Sequence, residues 1–167
     1  MKPGDHPEFF RLPPPPGRSR ESTIELDAEG RFWHDGEQVT HPGMARAFAS
    51  WIARHPDDGR FILTNGYDWS YFSVADAPFF VESVQTGGER PVLGLSDGSE
   101  EPLEPSELWV GERDALYTRV KQGAFVARFQ PRAQLEIAPL LVAATDGVAE
   151  IELGGRRFPV PVRSTAG

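Results

Sequence analysis

The sequence predicts an α+β protein made of two small units, each a set of mixed strands around one helix. Three observations predict it. Short alternating apolar and polar runs, bounded by Gly, Pro, Asn and Asp, recur from Ser22 to Val160 and read as strands. Two segments opened by proline, at Pro42 and Pro131, carry their apolar residues at helical spacing instead. Between them Thr86-Gly87-Gly88-Glu89-Arg90 is a polar, flexible break in the patterned chain. The expected organisation is a Pro-rich flexible arm over 1–20, an N-terminal unit over 21–86, a C-terminal unit over 87–163 and a tail over 164–167.

Composition narrows the function classes. A chain of 167 residues that is 39% hydrophobic can bury a real core. A net charge of -8 argues against a protein built to bind a nucleic-acid backbone, which needs a basic face to release counterions. With no cysteine there is no disulfide framework, no thiolate metal site and no cysteine nucleophile. No apolar segment follows Met1-Lys2 and none approaches a bilayer span, so a soluble cytoplasmic protein without membrane contact is expected.

The elements follow in order. Pro13 to Pro16 and Gly17 favour polyproline II, either a surface tail or a ligand for an aromatic-lined groove of a protein partner, with Phe9, Phe10 and Leu12 available to pin it. Ser22 to Leu26 and Arg31 to His34 alternate as strands, and Asp35-Gly36 turns the chain into Gln38-Val39. Thr40-His41-Pro42 starts a helix whose stripe of Met44, Ala45, Phe48, Trp51 and Ile52 is expected to run to His55-Pro56. Arg60 to Thr64 and Trp69 to Val74 are strands joined through Asn65-Gly66, and Ala75 to Pro78 make a corner into the strand Phe79 to Gln85. Strands are then expected at Pro91 to Leu95 and Leu108 to Val110, with an acidic loop from Ser96 to Ser106 between them. Leu116 to Val120 and Ala124 to Phe129 pair around Lys121-Gln122-Gly123. Pro131 opens a helix through Leu141 to Ala144 that Pro139 threatens to break, Thr145-Asp146-Gly147 stops it, and Ile151 to Val160 close the chain as a hairpin around Gly154-Gly155.

Phe32-Trp33-His34-Asp35-Gly36, Val39-Thr40-His41-Pro42, Phe61-Ile62-Leu63-Thr64 and above all Val74-Ala75-Asp76-Ala77-Pro78-Phe79 resemble the bacterial domain-of-unknown-function family 1285. Leu116 to Val120, Phe125 to Phe129 and Gly154 to Val160 resemble the family's tail more loosely. The chain departs from the family at Ala75, where relatives carry an acid, and over Asn65-Gly66-Tyr67-Asp68. The resemblance implies two duplicated units, the second like a pleckstrin-homology barrel, with a cleft at their interface. It also implies a nucleotide-like ligand and a role in signalling, with no established enzymatic activity.

The residues themselves offer few reactions. Gly94-Leu95-Ser96-Asp97-Gly98 matches the nucleophile-elbow spacing, but no helix start follows it and no histidine lies beyond His55, so it reads as a turn. His34, His41 and His55, with Asp35, Asp57 and Asp58 nearby, fit no zinc spacing, and no metal or cofactor is expected. Arg119 and Arg128 alternate with apolar residues on strands, as fixed donors to a carboxylate or phosphate or as plain outward charges. Asp76 either accepts from a ligand or ties down its own corner through backbone amides. Trp33, Trp69 and Tyr71 either stack a flat ring or fill the core. The reading is a non-catalytic binding or sensory module for a nucleotide-like or small anionic ligand. Its alternatives are a hydrolase of unrecognised type acting on a similar ligand and an interaction scaffold without a pocket.

Overall fold

The structure, a computed structural model, describes residues 1–144 and 146–164. The chain divides into two compact units, Met1–Ala75 and Asp76–Gly167. The division falls between Ala75 and Asp76, at the corner into the strand that starts at Phe79, and Thr86 to Arg90 is the loop of a hairpin. Thr145, expected in the stop of the second helix, and the tail beyond 164 lie outside the described residues.

In the first unit the strands are β1 (Glu21–Leu26), β2 (Phe32–His34), β3 (Glu37–Gln38), β4 (Ile52–Arg54), β5 (Phe61–Thr64) and β6 (Trp69–Val74), with helix α1 (Pro42–Ser50) between β3 and β4. Asp35 and Gly36, both at positive φ, make the tight turn that the Asp-Gly pair predicts. His41 caps α1 by accepting the Met44 amide on Nδ1, and Pro42 takes the first helical position. The helix ends at Ser50, short of His55-Pro56. Ile52, Ala53 and Arg54 pair instead with Leu63, Ile62 and Phe61, because Gly59 at φ 73 lets the chain return as a hairpin. The sheet order is β3-β2-β1-β6-β5-β4, antiparallel except for the central pair β1 and β6. Phe48 on α1 packs edge-on against Phe32, and Phe72 lies beside Phe32 and Phe61, forming an aromatic core under the helix.

Trp69 and Tyr71 lie on the other face of β6 and meet the N-terminal segment. Residues 3–5 and 7–11 form short 3-10 turns. The Phe10 ring lies 6.1 Å from Trp69 and 6.2 Å from His55, and the Gly4 amide donates to the Gly66 carbonyl at 2.8 Å. Arg11 grips Asp57 through two nitrogens, and Arg20 donates to Asp68 at 2.9 Å with its guanidinium 4.5 Å from the Trp69 ring. The flexible arm expected over 1–20 is therefore fastened at both ends of its proline run. Phe10 supplies apolar contact there, whereas Leu12 stays 58% exposed.

The second unit repeats the topology. Strands β7 (Phe79–Gln85), β8 (Val92–Leu95), β9 (Glu100–Pro102), β10 (Trp109–Val110), β11 (Leu116–Val120) and β12 (Phe125–Phe129) stand in the order β10-β11-β12-β7-β8-β9, again with first strand parallel to last. Each sheet is thus two antiparallel meanders joined along one central parallel pair. The helices are not equivalent: α2 (Pro131–Ile137) follows the last strand instead of linking the meanders. It packs on β7, where the Glu136 carboxylate accepts the Val84 amide at 2.9 Å beside a register shift.

Pro139 ends α2 early, and Leu141 to Ala143 become β13 (Leu141–Ala143), pairing with β14 (Ala149–Leu153) and β15 (Arg156–Val160) in a separate three-stranded sheet. The pleckstrin-homology-like barrel is corrected to an open sheet: β9 and β10 are its opposite edges, and among the described residues Val162 bridges Val110 on the β10 side. The buried centre of the unit is Phe80, Val81, Leu93, Leu95, Val120, Ala127, Phe129 and Ile137.

Phe10→Ala is expected to lower stability by about 1–3 kcal/mol and to open 1–20 to protease while the rest stays protected. Urea unfolding and limited proteolysis check this, and unchanged cleavage of the arm would contradict the anchoring.

Candidate functional site

Trp69 and Tyr71 come together, but their faces are already occupied. The two rings meet edge to face at 5.1 Å, and His55, carried by the β4–β5 hairpin, stacks on Tyr71 at 5.7 Å. His55 is buried, and its Nδ1 accepts the Asp57 amide at 3.1 Å. Its Nε2 therefore carries the proton and donates to the Phe10 carbonyl at 2.9 Å, a tautomer assigned from its partners. The Tyr71 hydroxyl donates to Asp58 at 2.7 Å. Burial, and then that bond, push the tyrosine above its usual range, while the same hydroxyl leads in holding Asp58 below the usual carboxylate range. Arg60 covers the Tyr71 ring at 3.7 Å and forks onto both oxygens of Glu21. Phe10, Arg20, His55 and Arg60 thus pack against the two rings.

Asp76 and Arg128 also come together, with a partner the sequence did not suggest. The Tyr117 hydroxyl donates to Asp76 Oδ2 at 2.5 Å, and Arg128 Nη1 lies 3.9 Å from the same oxygen. Asp76 thus does not tie its corner to backbone amides but fastens it to β11 and β12. Tyr117 stacks on Trp109 at 5.6 Å with the rings 11° apart, and Ala77, Ala115 and Val126 close the cluster. The signal for Tyr117 was only its place in an alternating strand, which every strand tyrosine shares. Arg119 stands diagonal to Arg128 on the neighbouring strand, about half exposed and 4.0 Å from Glu107.

The elbow-like motif is a strand-to-strand turn. Ser96 Oγ accepts the Phe80 amide, and Gly98 has φ 87. Asp97 accepts Lys121 Nζ at 2.6 Å and the Ser99 hydroxyl at 2.6 Å. Burial alone would raise its carboxyl, but these bonds outweigh it and the group sits below its ordinary value of 3.8. Of the histidines, His41 caps α1, His55 is spent on Phe10 and Asp57, and His34 stands 3.6 Å from Asp35. Among the described residues no group of three or more His, Cys, Asp or Glu is placed to hold a metal ion.

Trp33 is half-buried. It lines a depression of about 330 Å³ on the first unit together with Glu25, Leu26, Asp27, Ser73, Val74 and Ala75. A smaller hollow of about 170 Å³ lies near Phe48, Trp51 and Trp69. No described helix is long and apolar enough to cross a membrane.

No protein-family model and no curated protein matches the sequence. Two solved structures do match the fold. A DUF1285 family protein from Silicibacter pomeroyi DSS-3 superposes with a TM-score of 0.64 at 19% identity, over 90% of this chain and 91% of that one. A DUF1285 family protein from Shewanella baltica OS155 superposes with a TM-score of 0.58 at 15% identity, over 72% of this chain and 94% of that one. The chain therefore has the fold of the DUF1285 family, in agreement with the resemblance carried by its Asp-Ala-Pro-Phe corner. That family's function is uncharacterised.

Because the Asp97 carboxyl is lowered on folding, its contribution is fully present above the unfolded value and is lost as pH falls through the folded one. Asp97→Asn is expected to cost stability at neutral pH and to flatten the loss of stability below about pH 4. Urea midpoints across that range check it; an unchanged acid limb would contradict it.

Proposed function

We propose that the protein is a non-catalytic ligand-binding or sensory module that holds a small anionic, nucleotide-like ligand through Arg128 and serves in signalling. The placement of Arg128 carries this reading. Its strand is held on both sides, by β11 and β7, and its side chain is 19% exposed. Asp76 stands beside it at 3.9 Å, too far for a hydrogen bond, and shares its charge with the Tyr117 hydroxyl. Asp76 thus helps to orient the guanidinium, and a planar fork of donors suits a phosphate or carboxylate. Tyr117, stacked on Trp109 and opposite Arg128 on β11, gives the site a buried aromatic floor. Arg119, on the neighbouring strand, is a second cation for an extended anion.

A protein partner reading the Pro-rich arm is a second proposal, favoured by a separate observation. Pro13, Pro15 and Pro16 are exposed between the Phe10 and Arg20 anchors, so the run is presented with part of its ordering entropy already lost.

Thermal-shift titration with nucleotides, cyclic nucleotides and small carboxylates tests the first reading. A ligand at about 100 times its Kd adds about 2.7 kcal/mol, and Arg128→Ala is expected to abolish the shift. Turnover of the hit would instead favour the hydrolase alternative. No shift with any compound class would contradict the small-ligand reading.

A further inference from the structure

The depression beside Trp33 has a chemistry opposite to that of Arg128. Cross-strand register sets Trp33 of β2, Glu25 of β1 and Ser73 of β6 in one row, so the three side chains share a face of the sheet. The Trp33 indole is fixed there: its Nε1 donates to Asp27 Oδ2 at 2.9 Å. Asp27 spends the rest of its capacity on its own turn, accepting the Glu29 and Arg31 amides and Arg31 Nε. Burial would raise this carboxyl, yet the bonds from Trp33 and Arg31 outweigh that and keep it ionised. Asp27 is therefore the holder of the ring. Glu25 differs: it is exposed, and its side chain has no hydrogen bond or ion pair among the described residues.

We propose that this depression binds a small organic cation, its ammonium group seated on the Trp33 indole and paired with the Glu25 carboxylate. An indole face is the strongest aromatic partner for a cation, and a carboxylate without a partner beside it supplies the countercharge. The ring is held in advance, so binding does not pay to order it. A volume of about 330 Å³ suits a small amine, and Ala75 adds apolar surface to its lining. Two carboxylates at the rim repel an anion. This site lies wholly on residues of the first unit and is independent of the reading of Arg128.

Isothermal titration of the full chain with choline, tetramethylammonium and agmatine, against the uncharged carbon isostere of choline, tests it. At least one cation is expected to bind, with the isostere about tenfold or more weaker. Glu25→Gln is expected to weaken the cation about tenfold, Glu25→Asp to keep its preference over the isostere, and Trp33→Phe to weaken it severalfold with the melting temperature of each variant recorded alongside. Failure of every cation to bind, equal binding of the isostere, or an affinity untouched by Glu25→Gln in a folded protein would overturn the proposal.

Discussion

The parallel pairing of β1 with β6, and of β7 with β12, is the constraint on which each unit depends. A three-stranded meander closes through local hairpins but buries little by itself. Joined edge to edge, two meanders give a six-stranded sheet with a protected centre, and a parallel join requires the chain to travel through all the intervening strands first. The first seam is fastened by the Tyr71 amide on the Arg20 carbonyl at 2.7 Å and the Ala75 amide on the Leu26 carbonyl at 2.9 Å. The second has the Gln130 amide on the Val81 carbonyl at 2.9 Å. Val81, Ala127, Phe129 and Leu26 are among the most buried residues, whereas Glu21, Thr23 and Glu25 leave one face of β1 exposed.

The seams also set the chemistry. In the first unit the seam brings Ser73 alongside Glu25, and β2 adds Trp33, so the row beside the depression exists only once β1 and β6 have met. In the second, pairing of β12 with β7 fixes Arg128 across from Phe80, while β11 delivers the Tyr117 hydroxyl to Asp76. Asp76 is the first residue of its unit, so the bond that orients Arg128 also anchors the corner between strands. One carboxylate thus serves both fold and candidate site.

Much of the local structure was legible. Asp35-Gly36, Lys121-Gln122-Gly123 and Gly154-Gly155 all adopt the positive φ that their turns demand, and His41-Pro42 starts α1 as its chemistry requires. The failures have a common cause. Ile52 fits the helical stripe of Phe48 and Trp51 equally well, and only pairing with Leu63 made it a strand. Glu100 to Pro102 and Leu141 to Ala143 are strands because a neighbouring edge accepts them, a fact that periodicity does not encode. Which strand lies beside which is likewise absent from any local pattern, so the seams were invisible, and with them the meeting of Tyr117 with Asp76. Trp69 and Tyr71 were correctly read as large aromatic area on one face, but nothing in their spacing foretold that Phe10 and Arg60 would cover them.

Native-state hydrogen exchange tests the dependence on the seams most directly. If they hold the units together, the amides of Tyr71, Ala75 and Gln130 exchange only through unfolding of their whole unit and outlast those of the β14–β15 hairpin. Exchange of these seam amides by smaller local openings, with the hairpins remaining protected, would contradict the account.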